Sequence, residues 1–208
     1  SVRRWKTTPS RWTPSSAGTV IPSWTATSSA VRPPLERFKP AFVTQQLALL
    51  VLMSLGYDPT MGVEAHFLAR VGSREILELE NIDLQLNILF NQPLATQVVL
   101  TRELVEQMDQ PFDLTAELLG AWVNGDDDAL HAAFSNRNGD SPEAKAFMRA
   151  LMDERNTGMA RTIQTLAATK GTYFVLVGAG HFVGDVSIIA LLAQQGIHGK
   201  RLYSNHRF

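Results

Sequence analysis

Residues 172–177 (TYFVLV) run straight into Gly178-Ala179-Gly180-His181-Phe182-Val183-Gly184. The apolar stretch 186–195 comes next and stops at Gly196. An unbroken run of β-branched and aromatic residues fits a strand buried on both faces. The glycines fit a tight turn, and the run after them fits an apolar helix ended by a glycine. The spacing predicts strand, turn and helix here, with a short last strand over 201–204. A buried strand needs partners and helices to cover it, so the tail of the chain already points to an α/β arrangement.

Upstream, helices dominate. Residues 41–55 (AFVTQQLALLVLMSL) are apolar almost all round and end at Gly56, which predicts a buried helix. Thr60 is placed to cap a helix carrying Val63, Phe67 and Leu68. Residues 74–80 (REILELE) alternate and predict a strand. Residues 82–90 and 94–108 predict helices broken at Pro93, Asp113 caps another through Trp122, and Asp126 a further one through Phe134. Ser141-Pro142-Glu143 reads as an N-cap with proline in the first turn, opening a helix to about Ala168. The fold class expected is α/β, helix-rich with a small central sheet.

The front of the chain is of another kind. Residues 1–40 carry seven Lys or Arg against the single acid Glu36, whereas 41–208 carry 12 bases and 19 acids. Residues 1–34 hold 18 Ser, Thr or Pro and the tryptophans Trp5, Trp12 and Trp24, with no apolar period. Such a composition fills no core of its own and reads as a tail or arm; tryptophan also suits an anchor on another subunit. The domains expected are therefore 1–40, a basic Ser/Thr/Pro/Trp-rich arm, and 41–208, the α/β body. Prolines interrupt the stretch after the basic opening, so no convincing signal peptide is read; export or a periplasmic place stays open. The net charge of −1 argues against nucleic acid as partner. No apolar run is long enough to span a membrane. The absence of cysteine excludes disulfides, zinc–thiolate sites, iron–sulfur clusters and a cysteine nucleophile.

Several residues carry chemistry. His181, just past a strand in a glycine-rich turn, suits a metal ligand or a proton-transfer group, or a helix cap. Glu78 and Glu80 share a face of the predicted strand; two carboxylates there suit a hard cation or acid–base work. Glu80, at the strand's carboxyl end, is the favoured one. Arg155 suits a carboxylate or phosphate clamp, or an ion pair with an acid such as Glu80. Glu64 and His66, two apart on a helix, point roughly 200° apart and do not chelate together. Asp126-Asp127-Asp128 reads as acids crowding a helix N-terminus. The turn at 178–184 imitates a dinucleotide loop, but Val183 stands where the third glycine belongs and too little chain remains for a second half.

Order and wording of the motifs resemble one family. Gly56-Tyr57-Asp58-Pro59, Gly62-Val63-Glu64-Ala65-His66-Phe67, and Leu79-Glu80 followed by Gln85 are similar to the TraB/GumN family. So are Trp122 followed by Gly125-Asp126, Glu154-Arg155-Asn156 followed by Met159-Ala160, and the GxxH of Gly178 to His181. The resemblance runs from about 41 to 204 and implies kinship with the TIKI metalloproteases and an erythromycin-esterase/ChaN-like fold. It further implies a divalent-metal hydrolase, peptidase-like, using manganese, cobalt or zinc. His181 and Glu80 would be its ligands, and His181, Glu80 and Arg155 its catalytic groups. The family's first GxxH has no counterpart, so the expected fold is a truncated one and the site incomplete. The alternative is a non-catalytic accessory or scaffold protein in bacterial envelope polysaccharide assembly or export. Peptide is the expected substrate, and an uncovered sheet edge predicts a homo-oligomer.

Overall fold

A computed structural model describes residues 37–107, 111–136 and 141–202. They belong to a compact unit that begins at Glu36. Residues 1–36 of the arm lie outside the described residues, as does the end of the predicted last strand, Ser204.

The elements in chain order are α1 (Pro40–Ser54), α2 (Val63–Leu68), α3 (Ile82–Phe90), α4 (Leu94–Gln107), α5 (Pro111–Asn124), α6 (Asp127–Asn136), α7 (Pro142–Met148), α8 (Arg155–Ala167) and α9 (Ile188–Gln194). A π-helical turn, Arg149–Glu154, joins α7 to α8, and a 3₁₀ turn, Ala179–Phe182, precedes α9. Local chemistry explains the starts. Ser141 Oγ accepts from Ala144 N at 3.0 Å with Pro142 at the first turn. Asp126 Oδ1 accepts from Ala129 N at 3.0 Å, and Ser187 Oγ from Ala190 N at 3.2 Å. The turn at 59–61 is capped by Asp58 and not by Thr60.

The small central sheet is not there: no strand occurs among the described residues. Residues 74–80 and 172–177 are irregular, and the backbone hydrogen bonds outside the helices are turns and caps, not ladders. The physical reason is that a strand is stable only against a partner, and neither segment has one among the described residues. Each touches the core through single side chains, Leu79 and Val177, while Phe174 is 71% exposed. Residues 201–202 carry no strand either. The helix at the front also departs from expectation. It forms, but Ala41 is its buried residue, with Leu50 and Met53 half exposed. Among the described residues, no helix is long and apolar enough to cross a membrane.

Two small cores hold what matters for the site. Met159 and Ala160 of α8 pack on Ile188 and Leu192 of α9, with Leu79 and Val177 laid against them. Ala121 of α5 and Leu130 of α6 pack on Val183, with Ala179 and Phe134 beside them. The glycine-rich segment thus contributes Ala179 and Val183 to one core, and its flanks contribute Val177 and Ile188 to the other. His181 is held between them.

The α1–α4 contact is tied by polar groups. The side chain at the N-cap of α1, Lys39, makes no cap hydrogen bond, and Ala41 N donates instead to Gln97 Oε1 at 3.2 Å. Gln97 Nε2 donates to Gln92 O at 2.6 Å, and the residue is 4% exposed. One amide therefore satisfies an orphan helix N–H and a connector carbonyl. We expect Gln97→Ala to lower unfolding stability by about 1–3 kcal/mol in urea denaturation, the cost of stranding a buried donor and acceptor. A change inside roughly 0.5 kcal/mol, the range of an ordinary surface substitution, would mean that these groups find water instead.

Candidate functional site

The centre of the site is laid out along one helical face. Arg155 and Met159 lie four apart, and Thr162 and Ile163 come at seven and eight, so all four turn toward the segment that carries Glu80. Arg155 Nε donates to Glu80 Oε2 at 2.8 Å and Nη2 to Oε1 at 2.5 Å. The remaining terminal nitrogen, Nη1, donates to the Leu151 carbonyl at 3.1 Å, inside the π-helical turn. Thr162 Oγ1 donates to Leu79 O at 3.2 Å and anchors the residue before the carboxylate. Side-chain exposure is 10% for Arg155 and 19% for Glu80, so the pair is largely withdrawn from water. π turns of this kind recur at functional sites because they re-aim the residues after them.

Asn156, one residue on, faces the glycine-rich turn. Its Nδ2 donates to Val186 O at 2.8 Å, and its Oδ1 lies 2.6 Å from His181 Nδ1. Both side chains are buried. His181 sits in the 3₁₀ turn, where its backbone N–H donates to Gly178 O at 3.0 Å. The glycines serve packing here. A Cβ on Gly180 would stand 2.8 Å from the Phe134 ring, and one on Gly184, at φ +86°, 2.7 Å from the His131 ring.

The charges are tuned by these contacts. The hydrogen bonds from Arg155 hold the Glu80 carboxyl below its ordinary range; burial opposes this, and the positive charge of Arg155 adds to it. Burial pushes the His181 imidazole below its ordinary value, helped by Arg155 and opposed by the Glu80 carboxylate. At neutral pH His181 is therefore neutral and Glu80 ionised.

Two cavities meet at this cluster, sharing Phe134, Met152 and Gly180. One, of about 510 Å³, is rimmed by His131, Lys145, Arg149 and Asp153 and reaches Asn156. The other, of about 310 Å³, is apolar, with Leu118, Trp122 and Leu130 on its wall and His181 as its titratable group. His181 Nε2 has no hydrogen-bond partner among the described residues and is not sealed from solvent.

Of the residues singled out in the sequence, Glu80, Arg155 and His181 are brought together. The others stay apart. Glu78 is exposed, and Glu64 and His66 are exposed on α2. Asp127 pairs with Arg201 and Asp126 caps α6. Among the described residues no three His, Asp or Glu side chains converge as a metal site would need. Asn156 is the partner of His181 that sequence reasoning misses. Its signal is its place in the Glu154-Arg155-Asn156 motif, which marks the residue but cannot announce a contact across 25 residues.

The TraB/PrgY/gumN family pattern matches residues 23–201. An uncharacterized protein of Treponema pallidum (strain Nichols) is 24% identical over 170 residues, which take in 77% of this chain and 51% of that protein. The chain thus spans about half the length of the curated relative it matches. No solved structure matches.

The pair between Glu80 and Arg155 gives a direct test. Arg155→Met strands a mostly buried carboxylate and should lower stability by about 3 kcal/mol or more, whereas Arg155→Met with Glu80→Leu should recover most of that loss. Chemical denaturation of the two single variants and the double reads this out. Additive losses would mean that the two side chains do not depend on each other.

Proposed function

Because the chain belongs to the TraB/PrgY/gumN family, we propose that it is a hydrolase of peptide-like substrates whose reacting group is His181. The observation that carries this reading is the place of that imidazole: buried in the wall of an apolar cavity, where burial pushes its pKa down, with Nε2 unpartnered among the described residues. A neutral imidazole with a free lone pair is a competent general base for a water molecule. As the proton arrives at Nε2, the Glu80 carboxylate favours the imidazolium that forms. Arg155 keeps that carboxylate ionised and fixed, so Glu80 acts through its charge and not as a second base.

The family resemblance also implies a divalent metal, manganese, cobalt or zinc, held by His181 and Glu80. The described residues do not by themselves fit it. Both oxygens of Glu80 accept hydrogen bonds from Arg155, and no third His, Asp or Glu side chain joins them. The steps above therefore use this chain's own side chains. A second reading, an accessory or scaffold protein without catalysis, is supported by one observation: Glu80, the carboxylate whose charge acts on His181, is already committed to an ion pair.

A screen of peptide and ester substrates, run with wild-type protein and His181→Ala, separates the two. The hydrolase reading expects turnover that falls by about 10²–10⁴-fold in the variant, the usual contribution of a positioned base. Turnover equal in both proteins, or none with any substrate while both remain folded, would favour the accessory reading. Calorimetric titration of the same proteins with manganese, cobalt and zinc runs alongside. Tight binding to the wild type that is lost in His181→Ala would show that the lone pair ligates a metal.

A further inference from the structure

We infer that Asn156 is a positioning residue which fixes the proton of His181 on Nδ1, so that Nε2 is presented solely as an acceptor. The inference deepens the reading of His181 as the reacting group and rests on it for the reaction, though not for where the proton lies. Valence decides the assignment. Val186 O is a backbone carbonyl and can only accept, so the Asn156 atom 2.8 Å from it must be the amide nitrogen. The opposite amide atom, 2.6 Å from His181 Nδ1, is then the carbonyl oxygen, which also can only accept. Nδ1 must therefore carry the hydrogen. In a neutral ring Nε2 is left bare.

The amide end of this chain of donors is not free to invert. Flipping the amide would set two carbonyl oxygens against each other at Val186, in a place where Asn156 is 2% exposed and water cannot relieve the clash. The ligand chemistry is set by the same geometry. A bare Nε2 takes a group that brings its own hydrogen, such as water, a hydroxyl or a protonated amine, or else a metal cation. It offers nothing to a carbonyl oxygen or a carboxylate. His181 is thereby matched to the attacking water of a hydrolysis and not to the substrate's carbonyl.

The test is long-range ¹H–¹⁵N correlation of the full chain labelled with ¹⁵N-histidine, at a pH where the ring is neutral. The His181 signals are assigned by their loss in His181→Asn. The wild type should show a protonated Nδ1 and a bare Nε2. Asn156→Ala, which removes the acceptor facing Nδ1, should make the Nε2–H form the majority. A wild-type ring protonated on Nε2, or a folded Asn156→Ala with unchanged shifts, overturns the inference. Should Asn156→Ala not fold, the wild-type ring still decides it, because protonation on Nε2 there overturns the inference. Absent turnover together with an Nδ1–H ring would sink the hydrolase reading and leave this one standing.

Discussion

The ion pair between Arg155 and Glu80 is the constraint on which the site depends. Two charges mostly withdrawn from water cost several kcal/mol each to desolvate, and the cost is offset only when geometry and further hydrogen bonds are good. Here both conditions hold. The guanidinium meets both carboxylate oxygens, and its remaining terminal nitrogen finds the Leu151 carbonyl. The pair joins an irregular segment to a helix across 75 residues of chain, which no periodic pattern could do. Once it is formed, the charge environment of His181 is decided.

The rest of the site is arranged by how the chain between α7 and α9 is bent. The π turn leads directly into Arg155 and Asn156, so one residue faces Glu80 and the next faces His181. The glycine-rich segment closes on them because Gly180 and Gly184 allow Phe134 and His131 to come within distances that a Cβ would forbid. A segment that resembles a phosphate cradle in the sequence is a packing device, wedged between two small hydrophobic cores. Those cores fix His181 in a place where it is dry on one side and faces a cavity on the other.

Helix starts are legible in the sequence because they are local chemistry: Ser141 with Pro142, Asp126, and the break at Pro93 all act within one turn. The sheet is misread for the opposite reason. Composition such as TYFVLV states a preference for being a strand, but only a neighbouring strand can realise it, and residues 172–177 have none among the described residues. Burial of the first helix is misread likewise, since an all-apolar helix does not supply its own cover. Within the site, the residue types at 80, 155 and 181 are readable as chemically capable. Their proximity is foreseeable only for Glu80 and Arg155. Asn156 is visible only as a motif residue, because its role exists only through Val186 and His181.

Everything about the site turns on His181 being a neutral, buried imidazole in the field of a fixed ion pair. Its own titration curve, followed by NMR of the ring protons, measures this directly. Burial together with Arg155 outweighs the attraction of Glu80 for the proton, so the expected midpoint lies below the ordinary histidine value of about 6.5. The sign of the linkage is fixed too. The neutral ring stabilises the fold above that ordinary value, and this contribution is lost as the pH falls through the lowered midpoint. A midpoint at or above the ordinary value would mean that the ring is solvated or that Glu80 prevails, and would contradict the account.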